Sequence, residues 1–231
     1  HPPYSGRIAL SMLADSSAAP RLRITEIFKS LQGEADTVGI PTTFVRLTGC
    51  PLRCQYCDTA YAFQGGEILE LGAIAARVRE LGSSHVCVTG GEPLAQRNVL
   101  PLMSLLCDAG HRVSIETSGA LPISPIDPRV VRVVDVKTPG SGEEARNLYA
   151  ELAGLRAADQ VKFVICSRAD YEWSRAKVAE LALIGRCGVL FSASHDQVPA
   201  RDLAEWILGD GLDVRLQIQL HKYLWGNIPG K

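Results

Sequence analysis

From Arg21 onward, short β-branched stretches alternate with longer ones in which apolar residues return every three or four positions. The first pattern fits strands and the second amphipathic helices, so the order predicts βα units carrying a mostly parallel sheet. The predicted strands are TTFVRL, HVCVTG, RVSIET, VRVVDVK, QVKFVI, VLFSA and VRLQIQL. Between them ILELGAIAARVRELG, LAQRNVLPLMSLLCDAG, EARNLYAELAGL, DYEWSRAKVAELALIG and ARDLAEWILGDG read as helices, several ending on a glycine suited to a C-cap.

Parallel strands covered on both faces read as near-continuous apolar runs, and polar residues then gather where each strand ends. After successive strands come Thr48 to Cys50, Thr89 to Pro93, Glu116 to Gly119, Asp135 to Lys137, Ser192 to His195, and His221 with Lys222. In parallel α/β architectures these carboxyl ends share one rim, where active sites form. Seven strands fall short of a closed eightfold barrel. The expected fold is therefore α/β, a partial (incomplete) parallel β/α barrel whose open side is covered by the cysteine-bearing loop and the chain ends. No linker or repeat divides residues 21–231, which read as a single domain. Residues 1–20 lack a sustained apolar run and read as an expression remnant or disordered leader.

With 231 residues, 46% of them hydrophobic and 21% charged, the chain can bury one sizeable core. A formal net charge of −1 gives bulk electrostatics no reason to favour nucleic acid or a membrane surface. No run approaches the roughly 18 continuous apolar residues of a membrane span. The cysteines number seven, odd and unevenly spaced, which points to a reducing, cytoplasmic setting rather than a disulfide framework.

Cys50, Cys54 and Cys57 form C-x3-C-x2-C on a loop leaving a strand. Three thiolates so placed can converge on one inorganic centre and leave a coordination position open. A closed zinc site would want a fourth ligand, and only Asp58 is at hand, with His85 well away. Three unrelated core cysteines are the other reading. Cys87, Cys107, Cys166 and Cys187 sit among apolar neighbours, as do Trp173 and Trp206, and belong to the core. Arg46 lies inside an apolar strand, where its charge must meet either a substrate anion or a structural partner.

The cysteine spacing, the aromatic residue before the last cysteine (QYC) and the turn VTGGEP together resemble the radical S-adenosylmethionine enzymes. The resemblance implies a [4Fe-4S] cluster on Cys50, Cys54 and Cys57, its fourth iron chelated by the methionine end of S-adenosylmethionine. An electron then cleaves the sulfonium and releases a 5′-deoxyadenosyl radical. It assigns to S-adenosylmethionine Tyr56 and Asp58, the Gly90, Gly91 and Glu92 turn, Glu116 and Ser118, Asp135, Val136 and Lys137, and Ser192 and Ser194. Many members carry Ser-Pro-Lys where this chain has Asp135-Val136-Lys137, a departure from the pattern.

Further stretches, FKSLQGE, TFVRLTGCPLRC, CDT, ETSG, DVKTPGSG and QLHKYLWG, resemble the 7-carboxy-7-deazaguanine synthase family of queuosine and other 7-deazapurine pathways. By that resemblance the substrate is 6-carboxy-5,6,7,8-tetrahydropterin, ring-contracted with loss of ammonia, and S-adenosylmethionine is reused. Leu31, Gln32, Gly33, Glu34, Arg46, Thr89, His221 and Lys231 then contact substrate, and Thr59 ligates Mg²⁺. The implied partners are an electron donor such as flavodoxin or ferredoxin, and a second copy in a homodimer. Two rival readings remain: a glycyl-radical activase, and a non-catalytic iron–sulfur or zinc module.

Overall fold

The structure, a computed structural model, describes residues 19–226 and 228–230. Nearly all of the expected leader, and Lys231, lie outside the described residues. All seven expected strands are present and run parallel: β2 (Pro41–Leu47), β4 (His85–Gly90), β5 (Arg112–Thr117), β6 (Val131–Asp135), β7 (Gln160–Ile165), β8 (Gly188–Ala193) and β9 (Arg215–Gln217). Two further strands, β1 (Arg21–Leu31) and β3 (Glu67–Glu70), extend the sheet antiparallel at one edge, giving the order β3-β1-β2-β4-β5-β6-β7-β8-β9. The two edge strands β3 and β9 do not pair, so the barrel stays open. No helix of the described residues is long and apolar enough to cross a membrane.

Several local expectations change. RLRITEIFKSL folds as β1, although its alternation is obscured by charges on the exposed side: Leu22 and Ile24 are buried while Arg21 and Arg23 are not. EILE, expected to open a helix, pairs with β1, and α1 begins only at Leu71 and runs to Leu81. EARNLYAELAGL forms two 3₁₀ turns, Glu144–Arg146 and Tyr149–Gly154, instead of a helix. The Asn147 side chain both accepts from Lys137 N and donates to Lys137 O, at 2.8 Å each, holding that segment against a neighbouring loop. VRLQIQL is strand only over β9, and His221 lies on a short helix, α5 (Leu220–Trp225), rather than at a strand end.

The strands are not apolar on both faces. Outward residues such as Val45, Leu47, Val86, Val88, Val113, Ile115, Val161, Phe163 and Phe191 form the core beneath α1, α2 (Val99–Asp108), α3 (Arg168–Glu180) and α4 (Ala200–Asp210). Alternation turns the intervening residues inward. Arg46, Thr89, Glu116, Asp135, Lys162 and Ser192 line one cavity there. The open side is spanned by the cysteine loop, whose Asp58 meets Gln219 and Lys222 beyond β9, by the C-terminal segment, and by the turn after β1, which the sequence did not lead one to expect there. Ala35 N donates to Gln217 Oε1 at 2.7 Å and Asp36 N to Gln160 Oε1 at 2.9 Å, while Leu220 N reaches Gly33 O at 3.0 Å.

On the outer side Arg132 and Arg156 converge on the fully buried Asp159, which accepts from Arg132 Nη2 at 2.6 Å and from both backbone amides. Burial alone would raise its carboxyl, but the donors from Arg156 and Arg132 outweigh that and hold it down at about 2. Asp159→Asn is expected to cost about 3–5 kcal/mol at neutral pH, because it strands a buried Arg132. A carboxyl depressed in the fold stabilises fully above its unfolded value of 3.8 and loses that contribution as pH falls through about 2. Urea unfolding should therefore show the wild-type advantage shrinking between those values, and a constant difference would locate the effect elsewhere.

Candidate active site

The cysteine loop leaves β2 through Thr48 and Gly49. Thr48 Oγ1 and Thr25 Oγ1 share a 2.8 Å hydrogen bond, and Gly49 N donates to Ala62 O at 2.8 Å. Glu92 N then donates to Gly49 O at 2.8 Å, fastening the loop to the turn after β4. Close packing of the turn against that loop and against the end of β2 explains its two glycines. A Cβ on Gly91 would lie 2.2 Å from Gly49 O and 2.8 Å from Cys50 Cβ, and one on Gly90 would lie 2.3 Å from Leu47 O. Arg53 braces the loop from outside, donating to Cys50 O and Leu52 O over the Phe63 ring and taking Glu143 onto its backbone amide.

Cys50, Cys54 and Cys57 carry free thiols, are half-buried, and line the cavity, whose volume is about 700 Å³. Burial pushes the Cys50 and Cys54 thiols up. Among the described residues no three His, Cys, Asp or Glu crowd closely enough to hold a single metal ion. A cubane distributes three cysteines over three irons, and a donor set of three thiols around one open cavity fits that demand. Cys107 and Cys187 pack against the outer core, away from this loop.

Around the loop, Asp58 accepts from Thr59 Oγ1 at 2.8 Å, Lys222 Nζ at 2.9 Å and Gln219 Nε2 at 3.3 Å. Burial opposes the charge, but these donors hold its carboxyl below the usual range. The Tyr56 hydroxyl is buried with no partner among the described residues, and burial pushes its phenol far up. Lys137 Nζ sits 5.6 Å from the centre of that ring and 2.9 Å from Asp135 Oδ2. Ser192 and Ser194 close the same side.

The opposite side of the cavity is aromatic and charged. Phe28 and Phe44 stack at 5.1 Å with 13° between their planes. Arg46 Nε donates to Glu26 Oε1 at 2.7 Å, an oxygen that also accepts from Tyr61. The ion pair thus exists, while the guanidinium still lines the cavity. Glu34 Oε2 lies 2.6 Å from Lys162 Nζ. His221 approaches Gly33 so closely that a Cβ there would fall 2.2 Å from Nδ1. Burial lowers the His221 pKa, against the pull of Glu34 and Asp58, which favours neutral imidazole.

Most of the residues singled out from sequence meet at this cavity, including Leu31, Gln32, Gly33, Glu34, Thr59, Thr89, Gly90, Gly91, Ser118 and Asp135. Two side chains do not. Glu92 is fully buried behind the wall, accepting from Thr117 Oγ1, Ser118 N, Ser118 Oγ and Leu94 N at 2.5–3.0 Å, so it is a strut between β4 and β5. Val136 points outward into the apolar core. Glu116 lies deep in the barrel, accepting from Thr89 Oγ1 at 3.4 Å. Burial raises its carboxyl against the pull of Lys162 and Arg46, placing it with the Glu34 group rather than with Ser118 on the rim. The sequence reading leaves out Lys162, Glu26, Tyr61 and the two phenylalanines, and marks Lys222 only as a polar residue of the rim. Alternation of Gln160, Lys162 and Val164 against Val161, Phe163 and Ile165 was the signal for the first.

Residues 44–133 match the family model of the Radical SAM superfamily. The 7-carboxy-7-deazaguanine synthase of Chlorobaculum tepidum is 43% identical over 213 residues, covering 91% of this chain and 96% of that protein. The 7-carboxy-7-deazaguanine synthase of Koribacter versatilis is 44% identical over 219 residues, covering 88% and 97%. The crystal structure of QueE from Escherichia coli superposes with a TM-score of 0.71 at 26% identity, over 87% of this chain and 95% of the other. With this identity spread over almost its whole length, and with three cysteines facing the cavity of an open parallel barrel, the chain belongs to the 7-carboxy-7-deazaguanine synthase family of radical S-adenosylmethionine enzymes.

Proposed function

We propose that the chain is a carbon–nitrogen lyase that converts 6-carboxy-5,6,7,8-tetrahydropterin to 7-carboxy-7-deazaguanine with loss of ammonia, in queuosine or related 7-deazapurine biosynthesis. The observation that carries this reading is a single cavity with three thiols at its rim and paired charges on its inner face. The [4Fe-4S] cluster and S-adenosylmethionine, when bound, would supply abstraction of the C6 hydrogen and its later return.

The rest is binding and orientation by the chain. Cys50, Cys54 and Cys57 would hold the cluster, with Tyr56, Asp58, Gly91, Lys137, Ser192 and Ser194 lining the cofactor's side. Arg46 keeps Glu26 on Nε and offers its terminal nitrogens to the substrate carboxylate. Phe28 and Phe44 give the bicyclic ring an apolar surface, and Glu34 with the backbone of Leu31 to Gly33 accepts from and donates to its polar edge. The Thr59 hydroxyl gives its hydrogen to Asp58, which leaves oxygen lone pairs for a hard cation such as Mg²⁺, whose remaining positions water and substrate oxygens would fill. Lys231, outside the described residues, is a proposed substrate contact. The reading extends to a small one-electron donor protein such as flavodoxin or ferredoxin, to a homodimer, and to the cytoplasm.

Anaerobic reconstitution, reduction and mass spectrometry test the reaction: the product should accumulate over many turnovers per S-adenosylmethionine consumed. Cleavage of S-adenosylmethionine beside an untouched pterin would move the assignment to an activase. Cys50→Ala, Cys54→Ala or Cys57→Ala should lose both the iron–sulfur absorbance and activity, whereas Cys107→Ala should keep both. Equal loss at Cys107 would undo the ligand assignment. Gly33→Ala forces its new methyl against His221 without straining a left-handed backbone. It should raise the pterin KM about tenfold, the size of a ~1.4 kcal/mol loss, with S-adenosylmethionine affinity preserved. Parallel loss of both ligands would place Gly33 in the fold alone.

A further inference from the structure

Lys162 was not among the residues marked out by the sequence, yet it occupies the middle of the inner face. Its Nζ lies 2.6 Å from Glu34 Oε2 and 3.8 Å from Asp135 Oδ2. The same Asp135 oxygen accepts from Lys137, whose Nζ stands over the Tyr56 ring. Charges of alternating sign thus run Glu34, Lys162, Asp135, Lys137 from the turn after β1 to the cysteine loop. Burial disfavours a charged Lys162, but Glu34, Asp135 and Glu116 outweigh it and raise its pKa, so the cation persists.

Two features set this apart from an ion pair that only supports the fold. A buried pair kept for stability needs its remaining lone pairs satisfied. Here Glu34 engages Lys162 through Oε2, and its Oε1 has no hydrogen-bond partner among the described residues, while the residue lines the cavity. Asp135 repeats the arrangement: Oδ2 is shared by two lysines, and Oδ1 is buried with no partner among the described residues. Moreover, the turn bearing Glu34 is otherwise fastened through backbone groups at Gly33, Ala35 and Asp36. The aim of the Glu34 carboxylate is therefore left to Lys162.

We propose that Lys162 is a positioning residue, which directs the Glu34 carboxylate toward the amino-pyrimidine edge of the pterin and, through Asp135, ties that aim to the cofactor-side end of β6. The edge presents a ring N–H beside an exocyclic amine, a donor pair that a carboxylate held in one orientation accepts well. Asp135, the departure from the family's usual Ser-Pro-Lys, is the group that brings the two lysines together. This rests on the reading of the pterin as substrate.

The test is calorimetric titration of reconstituted enzyme, S-adenosylmethionine bound, with 6-carboxytetrahydropterin, anaerobically and without reductant so that no turnover begins. Lys162→Met should weaken pterin binding by about tenfold or more, as expected when a hydrogen bond to a charged group is lost. Affinity for S-adenosylmethionine should change less than about threefold, and Lys162→Arg should recover most of the loss. In a Glu34→Gln background Lys162→Met should add less than about twofold, because its effect runs through Glu34. Undiminished pterin affinity in Lys162→Met overturns the inference. So do equal weakening of both ligands and a full tenfold loss added on top of Glu34→Gln. Should Lys162→Met not fold, Lys162→Gln replaces it, with the same direction and a several-fold loss expected. Failure of the unaltered enzyme to bind pterin would overturn the substrate reading itself, a different result from binding that ignores position 162.

Discussion

Charge inside a sheet has to be answered from within the sheet. The outer face of this barrel is sealed by helices, so Arg46, Lys137 and Lys162 and the acids Glu26, Glu34, Glu116 and Asp135 on or beside the inner face have chiefly each other, the cavity and its contents as partners. At an interior dielectric an isolated charge costs several kcal/mol even after relaxation. The chain meets that cost by pairing neighbours: Arg46 with Glu26 from β2 to β1 and Lys162 with Glu34 from β7 to the turn after β1, both across elements, and Lys137 with Asp135 within one strand end, that of β6. The Lys162–Glu34 pair joins segments 128 positions apart and Arg46–Glu26 joins adjacent strands, so two of the ion pairs that equip the cavity also help to register the barrel's strands.

Glycine has the complementary role at the rim. The loop bearing the cysteines and the turn after β4 meet backbone to backbone, at distances that no side chain would allow. Glu92 stiffens that junction from behind by collecting four donors from β5 and its own turn. Thus a glutamate that looks chemical by its surroundings is architectural, while the glycines beside it set where the thiols stand. Metal-binding loops depend on such support, since a ligand displaced by an ångström is a weaker ligand.

Much of this was legible in the chain. Seven apolar stretches gave the seven parallel strands, and most of the polar residues after them mark the rim, because alternation of β and α forces those ends together. Glu116, deeper in the barrel, and His221, on a helix, are the exceptions. The cysteine spacing and the two glycines carried their own geometry. What escaped notice lies on β1, β7 and β9. On β1 the exposed charges of Arg21 and Arg23 mask a buried Leu22 and Ile24. On β7 an expectation of strands apolar on both faces left no place for Lys162 in mid-strand, although its two-residue period is regular. On β9 the strand stops at Gln217, three residues short of the expected end, and the helix that begins at Leu220 carries His221. Glu34 and Lys162, 128 positions apart, meet only in three dimensions, and nothing local to either announces the pair.

The seam on the barrel's open side is built differently from every other junction between strands. Neighbouring strands share a ladder of backbone bonds, but the turn after β1 is joined to β7, β9 and the segment beyond by scattered contacts: the carboxamides of Gln160 and Gln217, the Lys162–Glu34 ion pair, and one backbone bond from Leu220 N to Gly33 O. A ladder opens cooperatively, whereas isolated contacts of this kind can release separately while all nine strands stay paired. The barrel therefore has a wall that can breathe without unfolding, and it is the wall that carries Glu34.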